Sequence, residues 1–190
     1  PRQRQMCIRD RNIGTHNVVY TGIEDSDNYD HIYQSDLCGW VGQLGYNKDS
    51  IYGANVFTAE GNETLKAASF YATGKDSQYE LYVVRQFEDE TSLEKMIPVA
   101  SGKLGNAGYY TVDFNQGIEV DAGERYAVVL YIITPGSVHP MAIEYAADEA
   151  TENVDLDDGE SYISANGSKW VSVDTVEKSN LCIKAFSDNR

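Results

Sequence analysis

Residues 25–36, "DSDNYDHIYQSD", place Asp25, Asp27, Asp30 and Asp36 within twelve positions, with Asn28 between them. Calcium takes six to eight oxygen ligands, mostly carboxylate and carbonyl, so these four aspartates are the candidate ligands of a structural calcium ion. The stretch does not follow the EF-hand template. Counted from Asp25, Tyr29 falls at the fifth position, Asp30 replaces the glycine at the sixth, and Asp36 stands where a glutamate belongs at the twelfth. A second acidic run, 148–160, holds seven carboxylates and fails the same template. Crowded like charges give a physical reason to expect a cation. A solvated loop that only raises solubility is the alternative.

Trp40, Tyr46, Tyr52 and Trp170 form the second set. The first three lie in a glycine-rich stretch without clear periodicity, and Trp170 follows a turn signal. Pyranose rings lay their C–H faces on Trp and Tyr planes, so these residues are the candidates for ligand binding by stacking. Burial in the core is the competing reading for any tryptophan.

Catalytic constellations are missing. "DLCGW" (36–40) only grazes a papain-type nucleophile motif, and His16, His31 and His139 sit in strand-like or loop contexts. No G-x-S-x-G elbow occurs. Pairs of carboxylates carry no signal in a chain with 30 Asp and Glu. The three cysteines show no C-x-x-C spacing, so zinc ribbons and redox motifs are excluded, while Cys38 and Cys182 could either pair or remain free.

The elements that must position these residues read as β-strands. No window shows helical i, i+3, i+4, i+7 periodicity. "LKAASFYAT" (65–73) and "QYELYVVRQF" (78–87) read as antiparallel strands joined by the polar turn "GKDS". "AGYYTVDF" (107–114) sets Tyr110, Val112 and Phe114 on a dry face against Tyr109, Thr111 and Asp113. "DAGE" turns "GIEV" into "RYAVVLYIIT", which is apolar on both faces and therefore central. Asn166-Gly167 predicts a two-residue hairpin turn within 161–173. With "NVVYTG" (17–22), "HIYQ" (31–34), "GANVFTA" (53–59), "HPMAIEYA" (139–146) and "NLCIKAFS" (180–187), some ten short strands make an all-β, antiparallel sandwich or jelly roll.

At 190 residues the chain suits one domain. Its longest apolar run, 126–133, is far shorter than the ~20 residues of a membrane span. The net charge of −15 repels phosphate backbones, which disfavours nucleic acid and favours cations. Residues 1–11, "PRQRQMCIRDR", break with this acidity. They resemble a translated sequencing adaptor at the end of a metagenomic gene fragment and are set apart as a non-native leader, a basic N-terminal arm being the alternative. The domain proper is then 12–190.

The ordered motifs "HIYQSD", "GANVFTA", "SQYELYVV", "AGYYTVDF", "AGERYAVVLY", "GESYISANGSKW" and "NLCIKAF" resemble the lectin-like domain that follows the catalytic domain in papain-like cysteine peptidases of clostridia and related bacteria. The resemblance covers about residues 17–187. It implies a jelly-roll β-sandwich similar to carbohydrate-binding modules, a bound calcium ion, an upstream papain-like peptidase domain as partner, and a secreted or cell-surface location. The expected function is non-catalytic: the module positions the peptidase on cell-wall glycan or protein. A structural spacer packing on the peptidase, with no ligand of its own, is the alternative.

Overall fold

The computed structural model describes residues 19–20, 25, 27–149, 151–156 and 159–190. Among them are thirteen strands: β1 (His31–Tyr33), β2 (Gly42–Leu44), β3 (Ser50–Thr58), β4 (Glu63–Ala72), β5 (Ser77–Val84), β6 (Ile97–Leu104), β7 (Gly108–Val120), β8 (Arg125–Ile133), β9 (Met141–Glu144), β10 (Ser161–Ser164), β11 (Val171–Ser172), β12 (Asn180–Leu181) and β13 (Ile183–Asn189). Among the described residues, helix is limited to a 3-10 turn at Glu90–Glu94 and one α-helical turn, α1 (Val173–Val176). No helix among the described residues is long and apolar enough to cross a membrane.

Three antiparallel sheets result, ordered β1-β13-β4-β7, β11-β10-β3-β8-β5-β6 and β12-β9-β2. The all-β sandwich expected from period-two patterning is what forms. Its interior gathers Leu65 and Phe70 of β4, Phe114 and Val120 of β7 and Ile183 of β13 with Ile51 and Phe57 of β3, Leu81 and Val83 of β5, and Tyr126, Val128, Leu130 and Ile132 of β8. Strand β8 is central, between β3 and β5, and its alternate residues Ala127 and Val129 enter a second cluster with Ala54, Val56, Val84, Phe87, Leu93 and Trp170. Both faces of this strand are therefore covered over that stretch, as its unbroken apolar sequence requires. On β7 the predicted dry and wet faces are observed: Tyr109, Thr111 and Asp113 are exposed, and Phe114 is buried.

Several local expectations need correction. "GKDS" does not close a hairpin, because β4 pairs with β13 and β7 while β5 pairs with β6 and β8. The connection crosses from one sheet to the other, with Asp76 in the left-handed region at φ 57°. "DAGE" crosses in the same way between β7 and β8. Either pairing gives each strand the same inward and outward alternation, so the pattern alone does not choose between them. Asn166-Gly167 is not a two-residue turn either. Ile163 pairs with Val171, which leaves a longer loop in which Ser164 Oγ accepts from the backbone N–H groups of Asn166 and Gly167, and Asn166 Oδ1 accepts from those of Ser168 and Lys169. Only Gly167 has positive φ there. Strands β2 and β6 escaped the sequence reading. The proposed strand at 17–22 lies largely outside the described residues, as does the 1–11 leader.

Between β12 and β13 the chain changes sheets at Cys182, and one side chain ties the change to β3. Buried Asn55 donates from Nδ2 to the carbonyls of Leu181 and Ile183, both at 2.9 Å, while its Oδ1 accepts from Ser161 Oγ at 2.8 Å. Every polar atom of this amide is thereby matched, as a buried amide demands.

Candidate functional site

Strand register assembles an open groove on the outer face of the six-stranded sheet. Across β6, β5, β8 and β3, Ser101, Glu80, Tyr131 and Tyr52 stand opposite one another in a single row. Two residues along each strand, Lys103, Gln78, Ile133 and Ser50 form the next row on the same face. Most of these residues line a groove of about 390 Å³, joined by Tyr79 and Gly102. That volume lies in the ~300–1,000 Å³ range of small-ligand sites. Its floor is divided: β8 supplies Tyr131 and Ile133, and β5 and β6 supply polar and charged side chains.

The Tyr131 ring is held from behind. It stacks on Tyr52 with centroids 4.2 Å apart and planes at 20°. A Cβ added to Gly167 would stand 3.2 Å from the Tyr52 ring, so the loop that carries Gly167 abuts that ring. Trp170 meets Tyr52 edge-on at 6.3 Å. Burial raises the Tyr52 phenol above its ordinary value, with Tyr131 and Glu80 adding to the effect, so the ring stays neutral near pH 7. Beside Tyr131, the Glu80 carboxylate accepts a hydrogen bond from the Tyr82 hydroxyl, and Lys103 Nζ lies 3.3 Å from Asp76 Oδ1.

The four aromatic residues singled out in the sequence are not brought together. Tyr52 backs the groove. Trp170 is only 9% exposed and packs in the second apolar cluster, where it covers the sheet. Trp40, 37% exposed, lies in the loop between β1 and β2 and packs on the four-stranded sheet: it lies 5.7 Å from Tyr71, which in turn lies 5.0 Å from its cross-strand partner Tyr109. Tyr46 is exposed in the turn between β2 and β3 and is not among the residues lining the groove. The residue that sequence reading missed is Tyr131. Its signal was present, since it is the one phenol among the outward positions Ala127, Val129, Tyr131 and Ile133 of an otherwise aliphatic strand.

The aspartates also separate. Asp25 and Asp27 are exposed, and Asp30 Oδ2 accepts from the backbone N–H and Nδ2 of Asn189 at 2.9 and 3.0 Å. Asp36 is fully buried, with Lys184 Nζ 3.6 Å from Oδ2 and neither oxygen hydrogen-bonded. Burial pushes its carboxyl up to about 6 against the pull of Lys184, and Glu144 adds to the rise. Among the described residues no three His, Cys, Asp or Glu side chains are gathered to hold a metal.

An oxygen-rich nest does surround Asn180, however. Its Nδ2 faces the Ser35 carbonyl at 3.1 Å, Glu144 Oε1 at 3.3 Å and the Asp155 carbonyl at 2.8 Å, three acceptors for two protons, while its Oδ1 is buried without a partner. Glu144 is itself buried and also accepts from the Cys38 backbone N–H. Such a surplus of acceptors over donors suits a hard cation. Cys38 is exposed, Cys182 is buried, and both are free thiols. Burial, followed by the charges of Asp36 and Glu144, drives the Cys182 thiol well above its ordinary value, so it stays protonated.

Residues 32–187 match the family model described as "Lectin like domain". The chain belongs to the lectin-like domain family. Among solved structures this lectin-like domain is similar to the clostridial cysteine protease Cwp84 after propeptide cleavage, with 24% identity, a TM-score of 0.70, and coverage of 84% of this chain and 40% of that one. It is likewise similar to the structure of the cysteine protease and lectin-like domains of Cwp84, a surface layer associated protein of Clostridium difficile. There the identity is 23%, the TM-score 0.68, and the coverage 84% of this chain and 36% of that one. The lectin-like domain thus spans about two fifths or less of the solved chains it matches, and at these identities the likeness is one of fold. In the Clostridium difficile protein the protease domain is separate from the lectin-like domain, and the family matched here is the latter, a non-catalytic unit. No curated protein matches the sequence.

Proposed function

We propose that this lectin-like domain is an accessory module that holds a papain-like cysteine peptidase against glycan of the bacterial cell wall, outside the cell. The observation that carries the reading is the groove floored by Tyr131: a ring locked from behind, open in front and bordered by hydrogen-bonding side chains is the arrangement on which a sugar face settles. Family membership and the surface-layer association of the similar protein support the location. Retention of the domain on purified wall polysaccharide tests the proposal. Loss of retention in Tyr131→Ala is expected, and failure of the parent domain to be retained would overturn it.

Calcium is proposed as a structural ion. Asp36 and Glu144, with the carbonyl oxygens of Ser35 and Asp155, fit it better than the exposed Asp25, Asp27 and Asp30. Bound there, the ion would add to the single positive charge of Lys184, 3.6 Å from Asp36, in balancing the two buried carboxylates.

A spacer that packs on the peptidase is the second reading. The exposed apolar side chains Leu37, Trp40, Tyr109 and Tyr145 favour it. Absence of retention on every wall fraction would leave that reading standing.

A further inference from the structure

We infer that the groove accepts saccharides without anionic groups, and that Glu80 is the residue that sets this selectivity. The inference rests on the glycan reading above and adds the class of ligand. Register places Glu80 directly opposite Tyr131 on β5 and β8, so a pyranose lying on the Tyr131 ring presents its hydroxyl edge to the Glu80 carboxylate. One carboxylate oxygen is engaged by Tyr82, and among the described residues the other accepts no hydrogen bond. An ionised carboxylate only accepts hydrogen bonds, so it welcomes hydroxyl and amide donors and repels a carboxylate or phosphate on the ligand.

The other groups of the groove do not reverse this preference. Gln78 and Ser101 are uncharged, and Lys103, the one cation lining the groove among the described residues, already faces Asp76 at 3.3 Å. The whole chain adds a field of the same sign, with a net charge of −15. Ile133, next to Tyr131 on the same face, extends the apolar half of the floor along the strand, so successive rings of an oligosaccharide can run parallel to β8.

The test uses the domain with three probes of matched length: a neutral hexose oligosaccharide, an N-acetylated amino-sugar oligosaccharide and an oligouronate. The parent should bind at least one uncharged probe about tenfold or more tightly than the oligouronate, a gap that shrinks as salt rises. Glu80→Gln preserves the shape and an acceptor for Tyr82. It should keep the parent's melting temperature, weaken the uncharged probe by about tenfold through loss of the charged acceptor, and narrow the gap to the oligouronate. Equal affinity of the parent for charged and uncharged probes, or an unchanged ratio in Glu80→Gln, would overturn the selectivity while leaving the glycan reading intact. Binding of none of the three would overturn the glycan reading and this inference together.

Discussion

The Tyr33 hydroxyl lies 2.7 and 2.9 Å from the two carboxylate oxygens of Glu63, a side chain with no exposed surface. Glu63 also accepts from the Gly61 backbone N–H at 2.8 Å and from the Ser187 hydroxyl at 2.5 Å, so one carboxylate joins β1, the β3–β4 turn and β13. Strand β1 has only three residues, and this buried acceptor anchors it to the sandwich. Tyr33→Phe should cost about 1.5–3 kcal/mol in urea unfolding, as expected for a hydrogen bond to a buried charge.

The same network sets a pH dependence. Burial alone would raise Glu63, but the hydrogen bonds from Ser187, Tyr33 and Gly61 and the charge of His31 outweigh it and hold the carboxyl below its ordinary value. Its contribution is therefore complete above the unfolded value of about 4.3 and is lost as pH falls through the lower folded value. His31 runs the other way. Its hydrogen bond to Asn189, opposed by burial and aided by Glu63, Glu60 and Asp30, raises it, so its contribution is complete below about 6.5 and fades as pH rises through the folded value. Urea midpoints measured from pH 3 to 8 should fall at the acid end in the parent, and that fall should be smaller in Tyr33→Phe, where loss of one hydrogen bond lets the folded value of Glu63 rise back toward the unfolded one.

Trp170 follows a turn signal in sequence and is a candidate there for ligand stacking, yet it lies in the apolar cluster with Ala54, Val56, Val84, Ala127 and Val129. Trp170→Ala should lower stability by about 3–5 kcal/mol, the cost of emptying a large buried site. Saccharide affinity, measured at a temperature where the variant is still folded, should fall far less than in Tyr131→Ala.

Gly167 combines φ 75° with a ring 3.2 Å from where its Cβ would stand. Gly167→Ala should cost about 1–2 kcal/mol for the left-handed backbone of an L residue. It should also weaken saccharide binding, because Tyr52 can no longer brace Tyr131 in place. An unchanged melting temperature together with unchanged affinity would contradict this bracing.

Patterns that repeat along one strand were legible in the sequence; partners brought from other strands were not. The unbroken apolar run 126–133 announced a central strand, and the alternation of Tyr110, Val112 and Phe114 announced one dry face. What "GKDS" joins depends on β13, more than a hundred residues further along, so the crossing between sheets had no local signature. Asp36 reads like Asp30 in sequence; only the fold buries one under Lys184 and leaves the other exposed beside Asn189. The groove was illegible for the same reason, since Ser101, Glu80, Tyr131 and Tyr52 become neighbours only through the register of four strands.

Calcium at the Asn180 nest makes a prediction of its own. Adding calcium after chelation should raise the melting temperature, since a ligand of the folded form stabilises by RT ln(1 + [L]/Kd). Glu144→Gln and Asp36→Asn should abolish that rise, while Asp27→Asn should leave it unchanged. A calcium response that disappears in Asp27→Asn and survives in Glu144→Gln would move the ion back to the exposed loop.

Calorimetric titration of the parent domain and Tyr131→Ala with the uncharged oligosaccharide that the parent prefers bears most directly on the groove. The parent should give saturable binding, and the variant, at equal melting temperature, should lose about tenfold or more in affinity, the scale of one stacked ring. Equal binding by a folded Tyr131→Ala variant would contradict the placement of the sugar on this face of the sheet.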